Sequence, residues 1–220
     1  MPGWTPPPRT PRTAMEGRYC RLEPVDPEIH AEVLFAEFAL DSEGRNWTYL
    51  PYGPFGNPDA YRTWMKETCL GDDALFFAIV DRQSGKALGV ASYLRIAPES
   101  GSIEVGHVLF TERLKRSAAA TEAMYLMMEN VFALGYRRYE WKCDALNAAS
   151  RAAAQRLGFS YEGVFRQATV YKGRNRDTAW YAVTDEDWPR LREAYRKWLA
   201  PANFDEQGKQ RTQLSELTRG

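Results

Sequence analysis

Two junctions between a strand-like and a helix-like segment hold the residues best suited to chemistry. The first is LFTERLKRSAAATEAM (109–124), where a basic loop with Lys115 and Arg116 precedes the small residues 117–120. A helix N-terminus presents unpaired N–H groups and a partial positive charge, and small side chains let an anion reach them. The pattern is typical of a pyrophosphate-binding loop. A solvated basic turn before an ordinary Ala-rich helix is the open alternative.

The second junction is CDALNAASRAAAQRLGF (143–159), in which Asn147 and Ser150 open a helix directly after a strand. One of these residues could simply cap the helix. Alternatively, both side chains face the crevice at the carboxyl ends of parallel strands, where ligands bind in open α/β sheets. The residues of this junction alone leave both interpretations open.

The composition is that of an ordinary globular protein without a bulk electrostatic preference. The 220 residues include 29 Lys+Arg and 29 Asp+Glu, so the formal net charge is zero. This balance argues against nucleic acid or an anionic membrane as a partner. Three cysteines without a CxxC pair argue against structural zinc and a disulfide framework, so we expect no metal and a reducing, cytoplasmic compartment. Neither an 18-residue apolar run nor an HExxH, GxSxG, GxGxxG or GxxxxGK[ST] motif occurs, which argues against membrane-spanning proteins, zinc peptidases, α/β-hydrolases, Rossmann proteins and P-loop proteins.

The elements that must position the two junctions follow from hydrophobic periodicity. We expect a flexible Pro-rich arm (1–16), one folded domain (17–200) and a polar C-terminal tail (201–220), with a loosely docked short helix as the alternative for the tail. In the domain, a strand at 18–25 and two helices precede an antiparallel meander of strands at 74–81, 87–97 and 102–110. A helix from 119 then leads to a strand at 137–145, a helix at 147–159, a hairpin of strands at 161–173 and 177–185, and a last helix at 186–199. Because the helix from 119 makes a crossover, strands 102–110 and 137–145 are predicted to be parallel. The fold class is therefore α/β, or α+β, with a mixed sheet and helices on both faces.

The loop WTYLPYGPFGNPD (47–59) is rich in aromatic residues broken by Pro and Gly, so it cannot form a regular element. It forms either a buried Ω-like plug or a wall of a binding cleft. At its end, Asn57 is the predicted cap of the next helix and Pro58 its first residue.

These segments together resemble the GNAT superfamily of acyl-CoA-dependent N-acetyltransferases, in particular its RimJ/RimL-type branch. IEVGHVLF (103–110) is similar to the family's central strand, E-x-G-(aromatic or His), and KRSAAATEAM (115–124) to its Q/R-x-x-G-x-G/A loop and T-E-A helix start. NAASRAAAQRLGFSYEG (147–163) is similar to the branch's N-x-x-S-x-x-x-A-x-x-x-G-F-x-x-E-G pattern. The resemblance covers about residues 17–190. It implies the GNAT fold, with acetyl-CoA as co-substrate and a primary amine, either a peptide N-terminus or a small molecule, as acceptor.

The same resemblance implies roles for individual residues. The implied cofactor-binding residues are Val108, Leu109, Phe110, Lys115, Arg116, Ser117, Ala118, Ala119, Ala120, Asn147 and Arg151. Ser150 would protonate the departing thiolate, and Asn147 would position the pantetheine arm or a water.

The general base is harder to assign, because Thr169 stands where RimL-type enzymes carry a carboxylate. Glu104, on the central strand, is the best remaining candidate, with a purely structural carboxylate as the alternative. His107 is a secondary candidate: period 2 places it on the opposite face from Glu104 unless a bulge intervenes.

The alternative to an enzyme is a catalytically silent GNAT-fold module that binds a CoA ligand or a peptide. The missing carboxylate and Ala118, which stands where the family's first loop glycine is usual, motivate this alternative. The sequence leaves a homodimer open.

Overall fold

The computed structural model describes residues 3–219, which contain one eight-stranded mixed sheet and six α-helices. The strands are β1 (Met15–Glu16), β2 (Cys20–Pro24), β3 (Leu75–Asp81), β4 (Ala87–Ala97), β5 (Ser102–Phe110), β6 (Arg138–Asp144), β7 (Ser160–Tyr171) and β8 (Arg174–Thr184). The helices are α1 (Pro27–Phe38), α2 (Pro58–Thr68), α3 (Ala118–Ala133), α4 (Ala148–Arg156), α5 (Trp188–Leu199) and α6 (Leu214–Thr218).

The strand order is β1-β2-β3-β4-β5-β6-β8-β7. Strands β3, β4 and β5 form the predicted antiparallel meander, and β5 and β6 form the predicted parallel pair. The terminal hairpin inserts β8 rather than β7 beside β6. The prediction of a mixed sheet with helices is confirmed.

Side-chain alternation along β3 divides the core into two clusters, one on each face of the sheet. Leu75, Phe77 and Ile79 pack in one cluster with α3 and α5. The intervening residues Phe76 and Ala78 pack in the other cluster with α1 and α2. Successive side chains of a strand point to opposite faces, so a strand buried on both sides needs helices on both faces.

The aromatic loop ends where the sequence predicts. Asn57 Oδ1 accepts a hydrogen bond from the Ala60 N–H at 2.8 Å, and Pro58 is the first residue of α2. A side-chain acceptor followed by proline stabilises a helix start, because the acceptor pairs one free N–H and proline has no N–H to leave unpaired.

The N-terminal residues, which composition predicts to form a flexible arm, make side-chain contacts with the domain. Arg12 donates hydrogen bonds to three backbone carbonyls at and after the C-terminus of α2, those of Cys69, Leu70 and Gly71. Thr10 is buried and accepts from Asn130 of α3, while Arg137 lies over the ring of Trp4. Hydrogen bonds to backbone carbonyls and a cation–aromatic contact hold the arm. Because these contacts are polar, the small number of apolar residues in the arm does not predict them.

The C-terminal residues pack against the domain through a short helix, which is the second of the two predicted alternatives. Leu214 is 1% exposed. Thr218 Oγ1 donates to the Arg156 carbonyl of α4, and its own carbonyl accepts from Arg190 of α5. The buried Leu214 and the two hydrogen bonds of Thr218 thus place α6 against α4 and α5.

Candidate active site

The parallel pair β5–β6 opens after four residue pairs. Its last pair is Val105 with Trp141, although β5 continues to Phe110 and β6 to Asp144. On its other edge β5 remains paired with β4 as far as Phe110. The edge of β5 over residues 107–110 that faces β6 therefore lies outside the ladder with β6, and its backbone groups are available to a ligand in the opening.

A β-bulge at His107 changes which face its side chain occupies. Val90 pairs with Leu109 and Ser92 with Gly106, so two residues of β5, His107 and Val108, lie opposite Ala91 alone. The backbone of His107 is left-handed, with φ 49°. An extra residue on one strand shifts the alternation of side chains by one position.

As a consequence, Glu104 and His107 lie on the same face. Ile103 and Val105 pack in the α3 cluster, so Glu104 points to the α1/α2 face. The His107 ring lies 4.9 Å from that of Phe76, which belongs to the α1/α2 cluster. The structure therefore contains the bulge on which the secondary candidate His107 depends.

The His107 imidazole is held in an aromatic environment. Its Nδ1 lies 3.0 Å from the Tyr52 hydroxyl, and the two rings stack at 5.6 Å. Tyr52 in turn lies 4.3 Å from Trp64 of α2. Burial, with a smaller effect of the Arg95 charge, lowers the pKa of His107 to about 4. The imidazole is therefore neutral near pH 7 and can accept a proton.

The aromatic loop has features of both predicted alternatives. Trp47 is buried against Phe38 and Phe55, as in a plug. Tyr52 is half-buried and contacts the His107 side chain, as a residue of a cleft wall would.

Glu104 is part of an ion-pair network that joins three strands. Its Oε2 lies 2.7 Å from Nη1 of Arg95 on β4 and 2.9 Å from Nζ of Lys142 on β6. Lys142 Nζ also lies 3.8 Å from the centre of the Trp180 ring. A buried carboxylate with two cationic partners fits the structural alternative better than the role of general base.

The start of α3 has the features of the predicted anion loop. Ser117 caps the helix, accepting from the Ala120 N–H at 3.0 Å, and Ala118 is the first helical residue. The left-handed turn falls at Arg116, with φ 60°, so Ala118 needs no glycine-like conformation. The exposed Arg116 side chain has no hydrogen bond or ion pair within residues 3–219. Lys115, by contrast, is bound to Glu112 and Asn46.

A cleft of about 400 Å³ lies beside this helix start, and sequence reasoning missed it. Its lining includes Arg18, Tyr19, Asp81, Arg82, Gln83, Ser117, Ala118 and Ala119. The buried carboxylate of Glu122 in α3 accepts the N–H groups of Arg18, Tyr19 and Cys20. This long-range contact, which no local pattern reveals, brings Arg18 to the cleft.

The second junction lies on the β6 side of the opening. Asn147 caps α4, accepting from the Ser150 N–H at 3.0 Å, as its alternative interpretation predicts. Ser150 Oγ accepts from Nε1 of Trp141, the last residue of β6 that pairs with β5, at 3.0 Å. This bond does not use the Ser150 hydroxyl proton, which has the Cys143 sulfur as a neighbour. Arg151 donates to the Tyr181 hydroxyl and the Ala145 carbonyl.

Residues 45–52, which we call the strap, connect the two sides of the opening. The Trp47 carbonyl accepts from Lys172 Nζ at 2.9 Å, and the Thr48 carbonyl accepts from Arg174 at 3.0 Å. The Tyr49 hydroxyl donates to the Leu146 carbonyl, just after β6. The loop between α1 and α2, which packs on the β3–β5 side, is thereby tied to the β7–β8 hairpin and to the start of α4.

Residues 3–219 contain neither a metal-binding cluster nor a membrane-spanning helix. Between residues 3 and 219, no three His, Cys, Asp or Glu side chains come together as a metal-binding group. Over the same residues, every helix is too short or too polar to cross a lipid bilayer.

A mixed sheet that opens between two parallel strands, with a basic helix N-terminus after the first and a capped helix after the second, defines an acyltransferase architecture. The chain belongs to the GNAT acetyltransferase family, of the RimJ/RimL type: residues 20–160 match the family model described as "Acetyltransferase (GNAT) domain".

Known relatives agree with this assignment. The chain is similar to a GCN5-related N-acetyltransferase from Brucella melitensis of known crystal structure, with 45% identity, a TM-score of 0.97 and 99% of each chain covered. It is 25% identical over 154 residues to the uncharacterized N-acetyltransferase YnaD of Bacillus subtilis (strain 168), covering 70% of this chain and 88% of YnaD. The fold also matches the Microcin C7 self immunity acetyltransferase MccE, solved in complex with acetyl-CoA and AMP, at 20% identity, a TM-score of 0.67 and coverage of 76% and 93%.

Proposed function

We propose that the protein transfers the acetyl group of acetyl-CoA directly to a primary amine. The observation that carries this proposal is the opening between β5 and β6, with the His107 bulge on the β5 side and Ser150 on the β6 side. Family membership supports acetyl-CoA as the donor.

The donor half of the site is formed by backbone groups and basic side chains. The unpaired edge of β5, residues 107–110, offers N–H and C=O groups to the pantetheine arm and to the thioester carbonyl. The N-terminus of α3, with Arg116, holds the pyrophosphate, because oriented N–H groups and a guanidinium both favour an anion. Arg18, at the adjoining cleft, adds positive charge.

The acceptor half lies on the α1/α2 face, beside Tyr52, Trp64 and His107. We assign the role of proton acceptor to His107 rather than Glu104, since the imidazole faces the aromatic residues of the acceptor half while Glu104 is held between two cations. An aromatic wall also favours the uncharged form of an amine, because burial penalises the ammonium ion.

The chemical step then balances as follows. The amine nitrogen bonds to the thioester carbon, the C–S bond breaks, and its electron pair leaves on sulfur. The amine proton goes to His107, and the thiolate takes a proton from the Ser150 hydroxyl, which solvent restores.

A silent module that only binds CoA is the competing function, and the missing family carboxylate motivates it. The His107 imidazole at the bulge, in contact with Tyr52 and Phe76, provides a different proton acceptor, which favours the enzyme.

A thiol-release assay with acetyl-CoA and a panel of primary amines tests the proposal. We expect turnover with at least one amine, and a loss of about 10²–10⁴-fold in kcat for His107→Ala. CoA should raise the thermal midpoint by mass action, less so in Arg116→Gln than in the control Arg196→Gln on α5. If CoA binds but no amine releases thiol, the silent module is correct. If saturating CoA leaves the midpoint unchanged, the donor site is wrongly assigned.

A further inference from the structure

A second bulge, in β4, lies on the strand beside the His107 bulge. The pairing of β4 with β5 shifts register between Leu94 and Ala97, and Arg95 has a left-handed backbone with φ 47°. The Asp73 carboxylate holds this conformation, accepting the N–H groups of Arg95 at 2.9 Å and Ile96 at 3.0 Å. Such conformations cost free energy in residues other than glycine and concentrate at functional sites.

The bulge directs the Arg95 side chain to the face that carries His107. Its Nη1 lies 2.7 Å from Oε2 of Glu104, which points to the α1/α2 face. Its positive charge also contributes to the low pKa of His107, so the two side chains are electrostatic neighbours. Guanidinium and imidazole thus border the same proposed acceptor site.

Arg95 retains the capacity to bind a ligand. The Glu104 side chain is 4% exposed and is also paired with Lys142, itself 8% exposed, so Glu104 has a buried cationic partner without Arg95. The Arg95 side chain is 62% exposed, and in the described chain its side-chain N–H groups have no acceptor other than Glu104. The left-handed backbone of Arg95 costs free energy, and Asp73 is needed to hold it. An ion pair with Glu104, which already has Lys142 as a partner, does not by itself explain that cost.

We propose that Arg95 binds a carboxylate of the acceptor, so that the acceptor is a small amino acid or a similar amine that carries an acid group. A guanidinium presents N–H donors in a planar fork that matches a carboxylate. With the acid group on Arg95, the amine of the same molecule lies on the His107 side and its apolar part meets Tyr52 and Trp64. The inference rests on the proposed function, for which it names the substrate class.

The test compares a panel of amino acids with their carboxamides, which keep the amine and lose the acid group, at a pH where both amines are largely neutral. The wild type should prefer the acids. Arg95→Gln should raise the KM for the acids by about 10–100-fold, as expected for a lost charge-assisted pair, and leave the KM for acetyl-CoA unchanged. The control Arg196→Gln, which removes another exposed arginine with a carboxylate partner, should keep the preference.

Three outcomes would overturn the inference. The first is equal use of acid and amide by the wild type, and the second is an unchanged preference in Arg95→Gln. The third comes from comparing phosphoethanolamine with ethanolamine: Arg95-dependent selection there, without selection among amino acids, would make the ligand group a phosphate. If Arg95→Gln does not fold, Arg95→Lys, which keeps the charge but not the fork, should show an intermediate KM.

Calorimetric titration of CoA-loaded protein with the same acids and amides separates this inference from the proposed function. Arg95-dependent binding of acids without acetyl transfer would support the acid site and reject the enzyme. Acetyl transfer without Arg95-dependent selection would support the enzyme and reject the acid site.

Discussion

The Tyr52 hydroxyl lies 3.0 Å from Nδ1 of His107, which joins the strap to the bulge of β5. Burial raises the pKa of Tyr52, so the phenol keeps its proton near neutral pH. When Nδ1 carries a proton it donates to Tyr52, and Nε2 is left free to accept a proton from an amine. Tyr52 is therefore a positioning residue for the proposed base.

We predict that Tyr52→Phe lowers kcat about 10-fold and leaves the KM for acetyl-CoA unchanged. The substitution keeps the ring that stacks on His107 and Trp64 but removes the hydroxyl that pairs with Nδ1 and orients the imidazole. Steady-state kinetics give the first result, and the ¹⁵N shifts of the His107 ring report the tautomer. Tyr49→Phe, which removes a strap hydroxyl bonded to the Leu146 carbonyl, is the matched control. Equal losses in both variants would mean that Tyr52 acts only through the strap.

The lowered pKa of His107 predicts a pH dependence of stability. Its folded pKa of about 4 lies below the ordinary value of 6.5, so between these values the unfolded chain binds more protons. Stability from this group is fully present above pH 6.5 and is lost as the pH falls towards 4. Chemical unfolding from pH 7 to pH 4 should therefore show a steeper loss in the wild type than in His107→Gln. Because all other groups are shared, parallel curves would contradict the lowered pKa.

Ser150→Ala should lower kcat about 10–100-fold with CoA affinity nearly intact, because the proton is needed only in the transition state. The variant also leaves the buried Trp141 N–H without its acceptor, at a cost of about 1–3 kcal/mol of stability. Kinetics and unfolding on the same preparation measure both effects.

Asn57→Ala serves as the stability control, since it removes the cap of α2 at a cost of about 0.5–2 kcal/mol and should not change kcat. Wild-type kcat in a folded Ser150→Ala protein would reject Ser150 as the acid.

Arg12→Ala should destabilise the protein, because three carbonyls at and after the end of α2 lose a charged donor. We expect a loss of about 1–2 kcal/mol, which lowers the Tm by about 2–8 °C in a chain of this size. Differential scanning calorimetry measures the shift. Arg45→Ala, which removes an arginine whose side chain pairs only with the exposed Glu43 among residues 3–219, should change the Tm little. If the two variants behave alike, the N-terminal arm does not contribute to stability.

Local patterns predicted the elements well, and the structure places them close to the predicted positions. Asn57 and Pro58 start α2 and Asn147 caps α4, since caps act on N–H groups only two or three residues away. Helix α3 begins at Ala118, one residue before the predicted start. The parallel pair β5–β6 followed from the length of the crossover between the strands.

The site was predicted only in part, because it depends on bulges and on contacts between residues distant in the chain. Period 2 placed His107 and Glu104 on opposite faces, and one inserted residue reversed this. The bulge at Arg95 and the Asp73 carboxylate that holds it leave no signature in composition or spacing. Arg18 reaches its cleft through Glu122, more than 100 positions away in the chain.

The sequence by itself determined the order of strands and helices and the family to which the chain belongs, because these depend on periodicity and short motifs. The tertiary structure alone decided which side chains meet at the opening between β5 and β6. Two bulges turned Arg95 and His107 to one face, the strap crossed to the β7–β8 hairpin, and the terminal segments packed on the domain. Such contacts join residues distant in the chain, and their free energy depends on register and backbone twist that no local segment specifies.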